Sequence, residues 1–152
     1  MYVSDCISQN SKGHLTIGGM DTVELAKEFL TPLYVFDENE IRKNLREFRE
    51  SMEENYGGNG LVVYASKAFC CKEMCRICKS ENVGMDVVSG GELFTALSVD
   101  FPAERIVFHG NNKTRAELEA AVKNGVGRIV ADNIFELETL NEIAAANGVE
   151  AS

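Results

Sequence analysis

LVVYA at 61–65, MDVV at 85–88, RIVF at 105–108 and RIVA at 128–131 are short β-branched runs that return about every 22 residues, each followed by a helical pattern. They are apolar on both faces, as strands buried in a parallel sheet are. Thr114 with Glu117 three residues on is a capping-box signal for a helix continuing through Leu118 and Val122. Asp132 or Asn133 can cap the next helix, through Leu137, Leu140 and Ala144. Asn124-Gly125 and Asn147-Gly148 place glycine where a left-handed C-cap is wanted. Alternating βα units mean either an open doubly wound sheet or a (β/α)8 barrel. The even spacing and the lack of a long crossover favour the barrel.

A barrel needs about 250 residues, and from position 61 only about four and a half units are present. The chain stops at Val149-Glu150-Ala151-Ser152, where another strand is due. The expectation is an α/β chain forming the first half of a TIM barrel, a fragment of something longer. Upstream, LYVF at 33–36 also reads as a strand. Ile41, Leu45, Phe48 and Met52 form one apolar stripe on a charged helix. HLTIGG at 14–19 reads as a short strand, followed by a helix through Val23, Leu25, Ala26 and Phe29 and a break at Pro32. That entry segment does not fit the barrel rhythm.

Composition removes several function classes. The 152 residues carry 24 acidic and 15 basic side chains, a net charge of −9. Nucleic acid as a partner needs a basic surface instead. No apolar run approaches the roughly 20 residues of a membrane span, and the first residues lack the pattern of a secretory signal. Five cysteines, four of them between 70 and 78, do not spread as a disulfide framework does. They read as reduced thiols in a cytoplasmic protein.

In an α/β barrel the chemistry sits at the C-terminal ends of the strands. Lys67, Asp86 and His109 lie at such ends. Lys67 either begins a loop as a surface lysine or serves as a Schiff-base lysine, with Ala65, Ser66 and Ala68 leaving room for a flat ring. Asp86 is either a hydrogen-bonded core carboxylate or the partner that orients Lys67. His109 is a satisfied histidine at a barrel mouth, a stacking surface or an acid.

Three further patterns compete. Cys71, Cys75 and Cys78 have the C-x3-C-x2-C spacing of a radical S-adenosylmethionine cluster, but they also fall at i, i+4 and i+7 on one helix face beside Met74, which suits core packing. GGNG at 57–60 precedes a strand, whereas phosphate loops follow one, so it reads as a connection. Ser89-Gly90-Gly91 has the order strand, loop, helix and reads either as a tight turn or as an anion contact.

TPLYVFDE (31–38), YASKAF (64–69), DVVSGGEL (86–93), FHGNNKT (108–114) and VADN (130–133) together resemble the opening half of diaminopimelate decarboxylases, within the alanine-racemase-like group that uses pyridoxal phosphate. FHGNNK is the most discriminating piece. The resemblance covers nearly the whole chain from about Gly13 and implies a carbon–carbon lyase that makes L-lysine and CO2 from meso-diaminopimelate. It implies that Lys67 carries the cofactor, that Asp86 lies beside that bond, and that Ala65 and His109 line the cleft. It further implies a homodimer acting on a small amino acid, without nucleic acid or membrane. Residues 1–37 would belong with a C-terminal β-domain, and 38–152 would be the first half of the cofactor-binding barrel. The phosphate loop, the ring-stacking histidine and the second subunit's contributions would lie beyond residue 152, so this piece alone is expected to be inactive. The alternatives are a related amino-acid decarboxylase, a silent pyridoxal-phosphate-binding relative and, remotely, the radical enzyme. One departure is visible, since the residue before Thr31-Pro32 is usually glycine in this group and here is Leu30.

Overall fold

The computed structural model describes residues 4–152. The chain divides into two compact units, residues 1–47 and residues 48–152, with the helix Glu38–Tyr56 (α2) running through the division.

In the first unit β1 (Ile7–Gln9), β2 (Leu15–Ile17) and β3 (Met20–Asp21) form a small antiparallel sheet in that order. Helix α1 (Thr22–Phe29) follows directly. Its N-cap is Asp21, whose carboxylate accepts from the backbone N–H groups of Val23 and Glu24. The strand expected in HLTIGG and the helix after it are therefore present, whereas β1 has no apolar signature to announce it. LYVF does not form the expected strand, because Leu33–Phe36 joins neither sheet. A β-prone run becomes a strand only where a neighbour completes its ladder.

The second unit carries the barrel rhythm. β4 (Val63–Ala65), β5 (Gly84–Val87), β6 (Ile106–Phe108) and β7 (Arg128–Ile129) form a parallel sheet in sequential order. Between and after them run α3 (Lys72–Ser80), α4 (Gly90–Leu97), α5 (Arg115–Lys123) and α6 (Ile134–Asn147). Asn133 rather than Asp132 caps α6, and the Thr114–Glu117 capping box is formed. Gly125 and Gly148 both have left-handed φ where their helices end. RIVA delivers only two ladder residues, but Val130 N–H still donates to Phe108 O at 2.9 Å. Beyond it, the backbone N–H of Ile129 donates to Ser152 O at 2.7 Å, so the chain's last residues lie alongside β7 as a further strand would.

The two faces of this sheet differ. Met85, Val87, Ile106 and Phe108 are fully buried, and so on the helices are Cys75, Leu93, Ala96, Leu118, Ala121 and Ile143. Register places Ala65, Asp86 and Val107 side by side on the opposite face, where all three are half-buried. In a (β/α)8 barrel that second face is the interior. The fold is α/β with a parallel sheet of the kind found in such a barrel-like domain.

Candidate functional site

Register brings Ala65 opposite Asp86 and carries the chain beyond β4 straight into a short 3-10 turn, Ser66–Ala68. Lys67 sits in that turn with its side chain exposed. Ser66 is buried and its hydroxyl donates to Asp86 O at 2.8 Å, tying the end of β4 to β5. His109 follows β6 directly, is exposed, and donates its backbone N–H to Val87 O at 2.9 Å. The four residues singled out in the sequence thus lie at one end of one sheet, the C-terminal end. Asp86 Oδ1 is buried and has no hydrogen-bond partner. A buried carboxylate oxygen without a donor is costly unless something else supplies one.

Pyridoxal phosphate fits this donor set. Lys67 offers an accessible amine, Ala65 leaves space next to it, and the orphaned Asp86 oxygen is an acceptor waiting for a group from outside the chain.

The loops around this end are stitched by glutamates. Helices α4, α5 and α6 each carry Glu at the third position after the cap, as Ser89-x-x-Glu92, Thr114-x-x-Glu117 and Asn133-x-x-Glu136. The Glu92 carboxylate accepts from Val88 N–H. Glu117 accepts from Thr114 N–H and Oγ1, both at 2.8 Å, and reaches back one βα unit to accept from Gly90 N–H at 2.7 Å. These backbone bonds hold its carboxyl below the usual carboxylate range. Glu136 reaches back in the same way to Lys113, 2.7 Å from its Nζ. Only the Thr114–Glu117 box is evident in the sequence. The same spacing at 89–92 and 133–136 is the signal that would have found the others.

This stitching answers the question left at Ser89-Gly90-Gly91. Two amides at the start of α4 already have acceptors, Gly90 N–H in Glu117 and Glu92 N–H in the Ser89 hydroxyl, which supports the tight-turn reading. The cysteines are likewise packing residues. Cys75 and Cys78 have no exposed surface, and burial pushes both thiols up to about 12. Cys71 caps α3 by accepting from Met74 N–H. Cluster ligation needs thiolates that converge on one point, and no group of three or more such ligands placed to hold a metal occurs among the described residues. GGNG is the connection between α2 and β4, with left-handed φ at Gly57 and Gly58. No helix of the described residues is long and apolar enough to cross a membrane.

Residues 38–150 match the family of pyridoxal-dependent decarboxylases through its pyridoxal binding domain. The chain is 47% identical over all 152 residues to a diaminopimelate decarboxylase of Bacillus methanolicus, covering 35% of that protein. It is 44% identical over 148 residues to one of Bacillus subtilis, covering 97% of this chain and 34% of the relative. A crystal structure of the diaminopimelate decarboxylase of M. jannaschii in complex with L-lysine superposes with a TM-score of 0.87 at 35% identity, covering 99% of this chain and 35% of that one. The chain therefore spans about a third of the length of the relatives it matches.

Proposed function

Since the chain belongs to the pyridoxal-dependent decarboxylase family, we propose that the protein removes a carboxylate from meso-2,6-diaminopimelate, giving L-lysine and CO2. The observation that carries the proposal is the pairing of an exposed Lys67 amine with an unpartnered, buried Asp86 oxygen at the ends of adjacent parallel strands. The choice of substrate follows the names of the relatives that are 44–47% identical.

Pyridoxal phosphate, when bound, supplies the electron sink that accepts the pair released as the carboxylate departs. Everything else falls to side chains. Lys67 would hold the cofactor through Nζ, and its amine can move a proton at that end of the sheet. Asp86 would accept a hydrogen bond from the bound cofactor through its buried Oδ1. Ala65 lets a flat ring lie against the sheet, because a larger side chain on this face would stand in its place. His109 lines the cleft from the end of β6. Residues 1–37 form a segment that packs with a β-domain, and residues 38–152 form the opening part of the cofactor-binding barrel. The working unit is a homodimer. Support for these last points comes from the family resemblance.

Borohydride reduction of the pyridoxal phosphate-loaded full-length protein, followed by peptide mass spectrometry, should place the adduct on Lys67. Lys67→Ala should abolish the adduct and lower CO2 release from meso-diaminopimelate by more than about 10³-fold, as loss of a positioned acid–base group does. An adduct on another lysine overturns the site, and turnover of ornithine or arginine in preference to diaminopimelate overturns the substrate.

A further inference from the structure

We propose that Lys113 is a positioning residue for the cofactor cleft, fixing the turn that carries His109 and Gly110 to the end of β7. The proposal rests on the reading of this sheet end as the pyridoxal phosphate site.

Lys113 has only 1% of its side chain exposed, and Glu136 only 5%. An ammonium has three protons to donate and no acceptor. Here two directions are filled by hydrogen bonds to Gly110 O at 2.6 Å and Val130 O at 2.8 Å, and the Glu136 carboxylate lies 2.7 Å away as the counter-charge. Both hydrogen-bond acceptors are main-chain carbonyls at the ends of β6 and β7. The Phe108 ring lies beneath, 5.8 Å from Nζ.

Stability does not account for such a pair. Taking two charges out of water costs about what their attraction returns, and apolar replacements of similar volume are often neutral or better. What the ion pair supplies, and an apolar pair cannot, is direction. Two hydrogen bonds from one ammonium, held in place by its counter-charge, set the distance between two strand ends.

The turn is held equally firmly from its other side. His109 N–H donates to Val87 O. Gly110 has φ +141, which residues with side chains rarely adopt, and a Cβ there would lie 3.1 Å from Val88 O. The His109-Gly110 turn is thus pinned between β5 and, through Lys113, β7. The polar contacts of Lys113 go to Gly110, Val130 and Glu136, so its effect on the cleft passes through the backbone that presents His109.

Replacing Lys113 alone would strand the Glu136 charge in the interior and threaten the fold. The informative variant is Lys113→Met with Glu136→Leu in the full-length protein, which removes both charges. Its thermal melting should stay near that of the parent. Its Kd for pyridoxal phosphate, titrated into apoprotein, should rise about tenfold, the scale on which loss of an outer support weakens metal sites. The visible band of the bound cofactor should shift, and kcat should fall by about 10²-fold from misplacement. Parent-like Kd, spectrum and kcat in a folded double variant overturn the proposal. If that variant does not fold, Glu136→Gln carries the test, because it removes the charge that holds the Lys113 ammonium while keeping a side chain of the same shape. Weaker cofactor binding with unchanged melting is then expected, and unchanged binding overturns the proposal. Failure of the underlying site reading is separate: it shows in the parent protein as a borohydride adduct away from Lys67.

Discussion

Between Ser4 and Glu47 the buried side chains among the described residues are Thr16 and Leu45, whereas between Phe48 and Ser152 they include Met85, Val87, Ile106 and Phe108, none of which has any exposed surface. The first unit leaves Met20, Phe29 and Leu30 more than half exposed, and α1 has no fully buried residue. It is knitted by directed polar contacts instead. Ser8 and Thr16 meet across β1 and β2 at 2.6 Å, Asn10 donates to Asp21 at 2.8 Å, and Thr22 Oγ1 donates to Leu15 O at 2.9 Å. Apolar burial is non-directional and grows with area, while exposed hydrogen bonds net about 1 kcal/mol each and depend on geometry and protonation. The two regions should therefore respond to different perturbations. The second unit should feel lost volume, and the first should feel backbone strain and pH.

Phe108→Ala gives the largest expected effect. The ring is fully buried under the helices and lies directly below Lys113. Deleting it should cost about 3–5 kcal/mol, read as a lower denaturant midpoint with an unchanged slope. A cost below about 1 kcal/mol would break the contrast, because it would mean the helix-facing side of the sheet is not where this unit keeps its stability.

The same contrast explains what the sequence disclosed. The parallel units are legible because burial leaves a composition trace: β-branched runs at even spacing, Thr114–Glu117 at a cap, glycine at Gly125 and Gly148. The placement of Lys67, Asp86 and His109 at one end of the sheet is legible because each directly follows or closes a strand run. What stays hidden is set by contacts between units. Nothing local marks Glu136 as the counter-charge of Lys113, because the partners come from different βα units. Leu33–Phe36 misleads for the converse reason, having strand composition without a strand beside it. In the first unit, polar contacts leave almost no periodic trace, so β1 goes unread.

Leu30→Gly should have a smaller effect of opposite sign. Leu30 closes α1 with φ 65 and ψ −178, a backbone region that is essentially reserved for glycine. Strain of this kind costs about 1–3 kcal/mol, and part of its relief is returned as the greater freedom of glycine in the unfolded chain. A net gain of about 1 kcal/mol is expected. It should appear as slower amide exchange in α1. The departure noticed at this position in the sequence thus falls where the backbone asks for the missing glycine. No change in exchange would show that the first unit tolerates this conformation without strain.

The smallest effect is expected from acid, and it separates charge from capping at one residue. His14 Nδ1 lies 2.9 Å from Asp21 Oδ2, and this contact is the largest influence lowering the Asp21 carboxyl from 3.8 to about 2. Asn10 and the first amides of α1 add to it. A carboxyl whose folded value is depressed contributes stability that is complete above its unfolded value and is lost as pH falls through the folded one. The window is therefore pH 4 to 2, in the first unit. Asp21→Asn keeps an oxygen to cap α1, since asparagine is as good a cap as aspartate, but it has no charge to titrate. Amide exchange of β2, β3 and α1 should rise on acidification from pH 4 to pH 2 in the parent protein. The rise should be smaller in Asp21→Asn. Equal slopes in the two proteins would mean that Asp21 acts through its geometry alone. The dependence of the first unit on protonation would then have to lie elsewhere.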